Sequence, residues 1–169
     1  FKGGNILEPS AGVGRFIGRL PSSLKNSKFT AIELDSISGR ILKQLYQKEK
    51  VFNQGYEETN LQDNFYDVAI SNIPFGNYSV FDKDYNRLNF KIHDYFFAKS
   101  IDKVRQNGVI AFVTSKGTMD KMSSDVREYL AKRTNLLGAI RLPETAFKSA
   151  NTEVVTDIIS VSYTHLRAH

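Results

Sequence analysis

The chain has 169 residues, enough for a single domain with its own core, and 41% of them are apolar. Its 23 basic and 18 acidic side chains give a net charge of +5, which permits an anionic partner without requiring one. The absence of cysteine excludes disulfide scaffolds, cysteine nucleophiles and thiolate metal sites, and with only three histidines we expect no metal centre. No apolar run reaches the roughly 18 residues of a membrane span, so we expect no membrane partner and an intracellular, cytoplasmic location.

Short apolar segments alternate with helical segments along the whole chain. Predicted strands occupy 5–8, 28–33, 51–52, 66–71, 109–114, 136–140 and 157–161. Predicted helices lie near 13–20, after Ser36 as a cap (with Ile37, Ile41, Leu42 and Leu45 at helical spacing), and near 95–104 and 125–132. This alternation predicts an α/β fold whose mostly parallel sheet has helices on both faces. In such folds ligands bind at the carboxyl ends of the strands.

A glycine-containing loop follows the first predicted strand and leads into a helix. Gly12 and Gly14 permit a tight turn close to a ligand, and the start of the helix offers free amide groups. Glu33 ends the second predicted strand, where a carboxylate can accept hydrogen bonds from both hydroxyls of a ribose. A turn without a ligand and a solvated strand-end acid are the simpler interpretations of each feature alone. Together they indicate a nucleoside-containing cofactor, and Ile17 at the position of the third glycine disfavours a nicotinamide dinucleotide.

The run Glu8-Pro9-Ser10-Ala11-Gly12-Val13-Gly14-Arg15-Phe16 resembles the first motif of S-adenosylmethionine-dependent methyltransferases. It is most similar to the branch that methylates the amino group of adenine in DNA. This resemblance implies S-adenosylmethionine as the cofactor and a Rossmann-like, seven-stranded class I methyltransferase sheet. It implies that the glycine loop lies beside the methionine part of the cofactor and that Glu33 holds the ribose. The cofactor-binding residues implied in this way are Glu8, Pro9, Ala11, Gly12, Gly14, Glu33, Tyr56 and Asn72.

The segment Ser71-Asn72-Ile73-Pro74-Phe75-Gly76 follows the fourth predicted strand and resembles the Asn-Pro-Pro-aromatic motif of the same family, with Ile73 in place of the first proline. An adenine amine is a poor nucleophile, because its lone pair is delocalised into the ring. The Asn72 side-chain oxygen and the Ile73 carbonyl can accept hydrogen bonds from its two N–H groups and can stabilise the positive charge that develops on its nitrogen. Phe75 can stack on a flipped base. The resemblance therefore implies Asn72, Ile73, Pro74 and Phe75 as the catalytic segment, and a strand-terminating turn is the simpler alternative.

Aromatic and basic residues are interleaved over 75–97, a pattern that suggests a nucleic-acid cleft. We expect residues 81–90 to line that cleft, Tyr95, Phe96 and Phe97 to belong to the core, and His93 to be a packed or capping residue. The stretches 80–83, 92–95, 114–117 and 141–143 resemble a subgroup found on phage, plasmid and other mobile elements, in which the methylase domain is often fused to a helicase. This resemblance implies a bacterial or phage-encoded protein.

The resemblance covers most of the chain and stops near residue 159. We therefore expect a methyltransferase catalytic domain over 1–161 and a foreign tail over 162–169. The family has an element before the first motif and a separate target-recognition region, and neither is visible here. We expect the chain to be a fragment that contains the catalytic fold.

The leading hypothesis is a site-specific DNA adenine methyltransferase that acts on a flipped adenine in DNA, with a fused helicase as a further partner. Two alternatives stay open at this point. A methyltransferase acting on glutamine amides of proteins uses the same Asn-Pro-Pro-aromatic device, because it also methylates a planar amine. A non-catalytic module that binds DNA for an attached helicase would retain the fold without the reaction.

Overall fold

The computed structural model describes residues 2–146 and 155–164, which form one seven-stranded sheet with short helices around it. The strands are β1 (Asn5–Glu8), β2 (Lys28–Ile32), β3 (Lys50–Phe52), β4 (Tyr66–Asn72), β5 (Val104–Ser115), β6 (Thr134–Leu142) and β7 (Thr156–Tyr163). The α-helices are α1 (Arg15–Gly18), α2 (Ser36–Leu45), α3 (Ile92–Lys103), α4 (Gly117–Asp120) and α5 (Asp125–Arg133). Each of the seven predicted strands is present.

The strands are arranged in the order β3-β2-β1-β4-β5-β7-β6, and β7 alone runs antiparallel to its neighbours. The predicted mostly parallel sheet is therefore confirmed. The chain moves outward from β1 to β3 and then returns to the other side of β1 to form β4. That reversal opens a crevice at the carboxyl ends of β1 and β4, where ligands bind in open α/β sheets.

Apolar side chains cover the sheet on both faces. Successive strand residues point to opposite faces, and Ala31 and Ile32 of β2 accordingly belong to two different buried clusters. The larger cluster contains Leu7 and the α3 side chains Phe96 and Phe97. β1 and β2 are buried on both faces and read as continuous apolar runs, which explains why short unalternating segments predicted them correctly.

The last strand is longer than predicted, and this corrects the boundary placed between residues 161 and 162. Ser162 pairs with Val109 of β5, and Tyr163 pairs with Thr134 of β6. Thr164 donates hydrogen bonds from its backbone N and from Oγ1 to the carbonyl of Arg133, both at 2.9 Å. Ser162 and Tyr163 are thus part of the sheet, and Thr164 is hydrogen-bonded to the chain just before β6, while 165–169 lie outside the described residues.

The α2 helix differs from its predicted form in its cap and in its apolar face. Asp35 is the N-cap, because its carboxylate accepts a hydrogen bond from the backbone N of Ser38 at 2.7 Å, whereas Ser36 is already the first helical residue. Of the four apolar side chains at helical spacing only Leu42 is buried. Three stay exposed: Ile37, Ile41 and Leu45.

A buried ion pair fixes the aromatic segment against the core. The ammonium of Lys99 on α3 lies 2.9 Å from Oδ2 of Asp82, and both side chains are almost completely buried. The Tyr95 hydroxyl donates to the same carboxylate oxygen at 2.7 Å. Tyr95, Phe96 and Phe97 belong to the core, as predicted, and His93 is a buried residue of the first turn of α3. The described helices are each too short to cross a membrane.

Candidate functional site

A cavity of about 430 Å³ lies at the carboxyl edge of the sheet, in the crevice predicted from the strand order. The segments that follow β1, β2, β3 and β4 all contribute to its wall, through Pro9, Glu33, Gln54 and Pro74. The start of α3 contributes the remaining side, with Ile92 and further along Phe96. Strand ends that are far apart in sequence therefore meet around one space.

Glu33 connects the end of β2 to the glycine loop. Its Oε2 accepts a hydrogen bond from the backbone N of Gly12 at 2.7 Å, and its Oε1 accepts one from the backbone N of Asp35 at 2.8 Å. A carboxylate has about four acceptor positions, so each oxygen keeps one for a ligand. Behind it, the Asn53 amide donates to the Glu33 carbonyl at 2.8 Å and fixes the turn. Glu33 is therefore held at the rim of the cavity with acceptor capacity to spare.

The two loop glycines are required for different reasons. Gly12 has φ 55°, and a Cβ added there would meet no atom within 4 Å, so its outer side faces open space. Gly14 has φ 82°, and a Cβ there would come within 2.3 Å of the Tyr46 ring and 2.8 Å of Leu42. Gly14 therefore allows the loop to pack on α2, while Gly12 leaves room beside the cavity.

Glu8 is a buried acid at the end of β1. It is 1% exposed, and its Oε2 has no hydrogen-bond partner among the described residues. Burial raises the pKa of Glu8 to about 8, and the nearby charge of Glu33 acts in the same direction. The Glu8 carboxyl is consequently protonated at neutral pH in this structure, and it is not one of the residues that line the cavity.

The catalytic segment predicted from sequence begins at the last residue of β4. Asn72 is exposed, while the Ile73 side chain is buried in the larger core cluster and its backbone N donates to the Val113 carbonyl at 3.1 Å. Pro74 lines the cavity, and Phe75 is 37% exposed beside it in sequence. The buried side chain of Ile73 therefore anchors the turn and leaves the Asn72 side chain at the edge of the sheet.

One hydrogen bond joins this segment to the glycine loop. Ser71 Oγ donates to the carbonyl of Ser10 at 2.9 Å, across 61 residues of sequence. The loop after β1 and the segment after β4 are consequently held together at the crevice. Of the residues predicted for the site, four line the cavity: Pro9, Glu33, Tyr56 and Pro74. The others are not among its lining residues: Glu8, Ala11, Gly12, Gly14, Asn72, Ile73 and Phe75.

Two predicted cofactor residues are placed mainly in the core. Ala11 belongs to the smaller buried cluster, and its backbone N donates to the Ile32 carbonyl at 2.9 Å. Tyr56 borders the cavity, but it is buried and its hydroxyl lies 3.1 Å from Ser100 Oγ on α3. Lys99 donates to the Tyr56 carbonyl at 2.8 Å. Tyr56 can therefore offer a ligand a wall but not a free hydroxyl.

Sequence reasoning missed several residues of the cavity wall. Leu34 follows Glu33 and is 72% exposed, an apolar side chain at the rim. Its position directly after Glu33, an acid at a strand end, is the sequence feature from which it could have been predicted. The others become neighbours only through the fold: Ser10, Asp35, Gln54, Gly55, Glu57, Tyr78, Val80, Ile92 and Phe96. In the described residues, no group of His, Cys, Asp and Glu side chains is arranged to hold a metal ion.

Residues 16–147, most of the chain, match the profile of the family "Eco57I restriction-modification methylase". The chain belongs to this family. The chain is also 30% identical over 162 residues to "Defense against restriction protein B" of Escherichia phage P1. That match covers 92% of this chain and 7% of the phage protein, so the chain spans a small part of its curated relative.

Solved structures share the fold of this chain. A Listeria monocytogenes protein described as a class I S-adenosylmethionine-dependent methyltransferase superposes with a TM-score of 0.76 at 21% identity, over 100% of this chain and 56% of that one. A protein described as the modification subunit of a type I restriction enzyme from Vibrio vulnificus gives 0.74 at 20% identity, over 95% and 40% of the two chains.

These comparisons confirm the predicted family relationship and the class I methyltransferase fold. The description of the Listeria protein names S-adenosylmethionine, which is the cofactor predicted here from the sequence motifs. The chain is thus a member of a restriction-modification methylase family and has the fold of class I methyltransferases.

Proposed function

We propose that this chain transfers a methyl group from S-adenosylmethionine to the exocyclic amino group of adenine in DNA. The observation that carries the proposal is the Ser71 to Ser10 hydrogen bond, which holds the Asn72 segment against the cofactor loop. Membership of a restriction-modification methylase family supports DNA as the substrate. The exposed amide of Asn72 at the strand end supports an amino group as the atom that is methylated.

The cavity at the carboxyl edge suits this cofactor. Glu33 retains an acceptor position on each oxygen for the two ribose hydroxyls, and the exposed Leu34 beside it offers an apolar face to a base. Gly12 turns its open side towards the same region without a side chain to block it. When bound, S-adenosylmethionine supplies an electrophilic methyl group on a positively charged sulfur.

The protein's part in the reaction is to orient and to stabilise charge. The Asn72 side-chain oxygen and the Ile73 carbonyl accept hydrogen bonds from the two N–H groups of the adenine amine. These hydrogen bonds turn the nitrogen lone pair towards the methyl group. As positive charge develops on that nitrogen, both oxygens stabilise it more strongly than they stabilise the neutral amine. Phe75, which is partly exposed, stacks on the flipped base and keeps it out of the duplex.

The wider context of the protein is part of the proposal. The chain spans 7% of the phage relative, which supports a methylase domain within a much larger protein of a mobile element. The resemblance of 80–83, 92–95, 114–117 and 141–143 to the mobile-element subgroup supports a helicase as its fused partner. A DNA substrate also implies an intracellular, cytoplasmic location. The domain limits predicted from sequence, with the corrected end at residue 164, belong to the same proposal.

The test is methyl transfer from labelled S-adenosylmethionine into unmethylated DNA and, separately, into protein, with the chain expressed in its native reading frame. Asn72→Ala should lower the rate of transfer into DNA by about 10²–10³, because one oriented polar partner is lost, and should leave cofactor affinity within a few fold. Asn77→Ala, which removes an exposed amide from the same loop, is the matched control and should retain the parent rate.

Three outcomes contradict the proposal. Equal rates for the parent and Asn72→Ala would show that Asn72 is only a turn residue. Label that enters glutamine of protein and not DNA would identify the protein methyltransferase. Tight DNA binding with no transfer into either substrate would identify a non-catalytic module.

A further inference from the structure

A second and larger cavity, of about 610 Å³, lies at the amino edge of the sheet. Its wall contains the first residues of four parallel strands: Asn5, Lys28, Lys50 and Tyr66. The carboxyl edge, where the cofactor cavity lies, is the opposite end of those strands. Since a strand rises about 3.3 Å per residue, the four or five residues of β1 and β2 separate the two edges by roughly 13–16 Å. The two cavities are therefore distinct.

Four lysines surround this second cavity: Lys25, Lys28, Lys48 and Lys50. In the part of the chain that the structure describes, none of the four forms an ion pair with a carboxylate, whereas the buried and half-buried lysines of α3 do. The single acid in the wall is Glu49. The positive charge around the cavity is consequently not neutralised by neighbouring side chains.

The one acidic group of the wall is already engaged. Glu49 Oε2 accepts a hydrogen bond from the backbone N of Phe29 at 2.6 Å, so this carboxylate serves β2 rather than the lysines. The other polar side chains of the wall are neutral amides and hydroxyls, which can donate to phosphate oxygens or to base edges: Asn5, Asn26, Ser27, Thr30, Asn60, Gln62 and Tyr66. The wall therefore offers donors on several sides and little competing negative charge.

An aromatic ring completes the cavity. Phe65 is 39% exposed and packs edge-on against Tyr66, with 5.1 Å between the ring centroids. Its neighbour fixes the ring while one part of it stays accessible to solvent. An accessible ring beside unpaired lysines is the combination that proteins use for single-stranded nucleic acids, because bases stack on the ring and ammonium groups contact the phosphates.

We propose that the amino-edge cavity is a second nucleic-acid site, which binds a single strand through phosphate contacts to Lys25 and Lys48 and base stacking on Phe65. A single strand is favoured over a duplex because only an unpaired base can lie flat on a ring inside a concave wall. The site does not depend on methyl transfer, since none of its residues belongs to the cofactor cavity or to the Asn72 segment.

The test is fluorescence anisotropy of a labelled oligothymidylate with the cofactor-free chain, over a range of salt concentrations. The paired substitution Lys25→Gln with Lys48→Gln should weaken binding at least about tenfold. It should also lower the slope of log affinity against log salt by about 1.4, since each phosphate contact to a single strand contributes about 0.7. The matched control, Lys43→Gln with Lys132→Gln, removes the same charge from α2 and α5 and should bind within about twofold of the parent.

Phe65→Ala tests the stacking contact separately, and it should weaken single-strand binding about fivefold or more without changing the salt slope. Equal losses in both lysine pairs would show diffuse attraction to net charge and would overturn the proposal. Equal affinity for duplex and single strand, or displacement of the oligonucleotide by an equal concentration of tripolyphosphate, would overturn it as well. Calorimetry of S-adenosylmethionine binding to the same variants should be unchanged, which separates this result from any failure of the proposed methyl transfer.

Discussion

Replacing Glu8 by glutamine should remove a large pH dependence of stability. The Glu8 carboxyl is buried without a partner for Oε2, and burial together with the Glu33 charge raises its pKa from the ordinary value of 4.5 to about 8. Between these two values the folded protein keeps a proton on Glu8 that the unfolded chain has lost. Because the folded state then binds more protons, the free energy of unfolding falls as the pH rises through this window.

The size of the effect follows from the two pKa values. Between pH 5 and pH 8 this single group should lower the free energy of unfolding by roughly 3–4 kcal/mol, and above pH 8 the loss should level off. Glu8→Gln resembles the protonated acid in shape and cannot ionise. The variant should therefore lie within about 1 kcal/mol of the parent at pH 5 and exceed it in stability by roughly 4 kcal/mol at pH 8.

Urea denaturation of parent and Glu8→Gln at pH 5, 6, 7 and 8 measures this directly. Other titrating groups, including His93, whose pKa is lowered by burial, are present in both proteins and cancel in the difference. The expected result is a difference in unfolding free energy that grows steadily from pH 5 to pH 8. Parallel profiles for the two proteins would refute the assignment of a neutral, buried Glu8.

Three further predictions concern the cofactor, the buried ion pair and the last strand. Glu33→Ala should weaken S-adenosylmethionine binding by roughly 1.5–3 kcal/mol in calorimetry, since charge-assisted hydrogen bonds are lost. Lys99→Met should destabilise the fold by roughly 3–5 kcal/mol in urea denaturation, because Asp82 is left buried and unpaired, whereas Lys103→Met, whose partner is exposed, should cost below about 1 kcal/mol. A chain that ends at Val161 should melt roughly 5–10 °C below one that retains all of β7, and equal melting temperatures would show that those strand pairs contribute nothing.

The sheet and the location of the site could be predicted from sequence because their signals are local. Each strand is a short apolar run, and β1 was predicted with the limits that the structure shows. The strand ends then marked Glu33 and Asn72 as neighbours of one edge, since parallel strands all finish on the same side. The structure agrees with that placement through the contacts from Glu33 to Gly12 and from Ser71 to Ser10.

Features that depend on distant partners could not be predicted in this way. The helical spacing of Ile37, Ile41 and Leu45 shows that α2 has an apolar face, but no spacing shows that these side chains stay exposed in this chain. Gly14 matched a cofactor motif, yet a side chain at this position would clash with the ring of Tyr46, which lies 32 residues further along the chain. A local sequence pattern shows that a helix has an apolar face, whereas the fold decides which helix or strand, if any, packs against that face.

The same reasoning explains why the site is spread over three strand ends. The strand order places β1 between β2 and β4, so the loop after β1 is the only one of the three that borders both others. Glu33 on one side holds that loop through Gly12, and Ser71 on the other side holds it through Ser10. A cofactor that lies on the central loop is therefore in reach of a carboxylate on one flank and an amide on the other. The crossover that returns the chain from β3 to β4 creates this arrangement. In a sheet built in simple sequential order, β3 would lie between β2 and β4, and the glycine loop after β1 would border Glu33 but not the Asn72 segment.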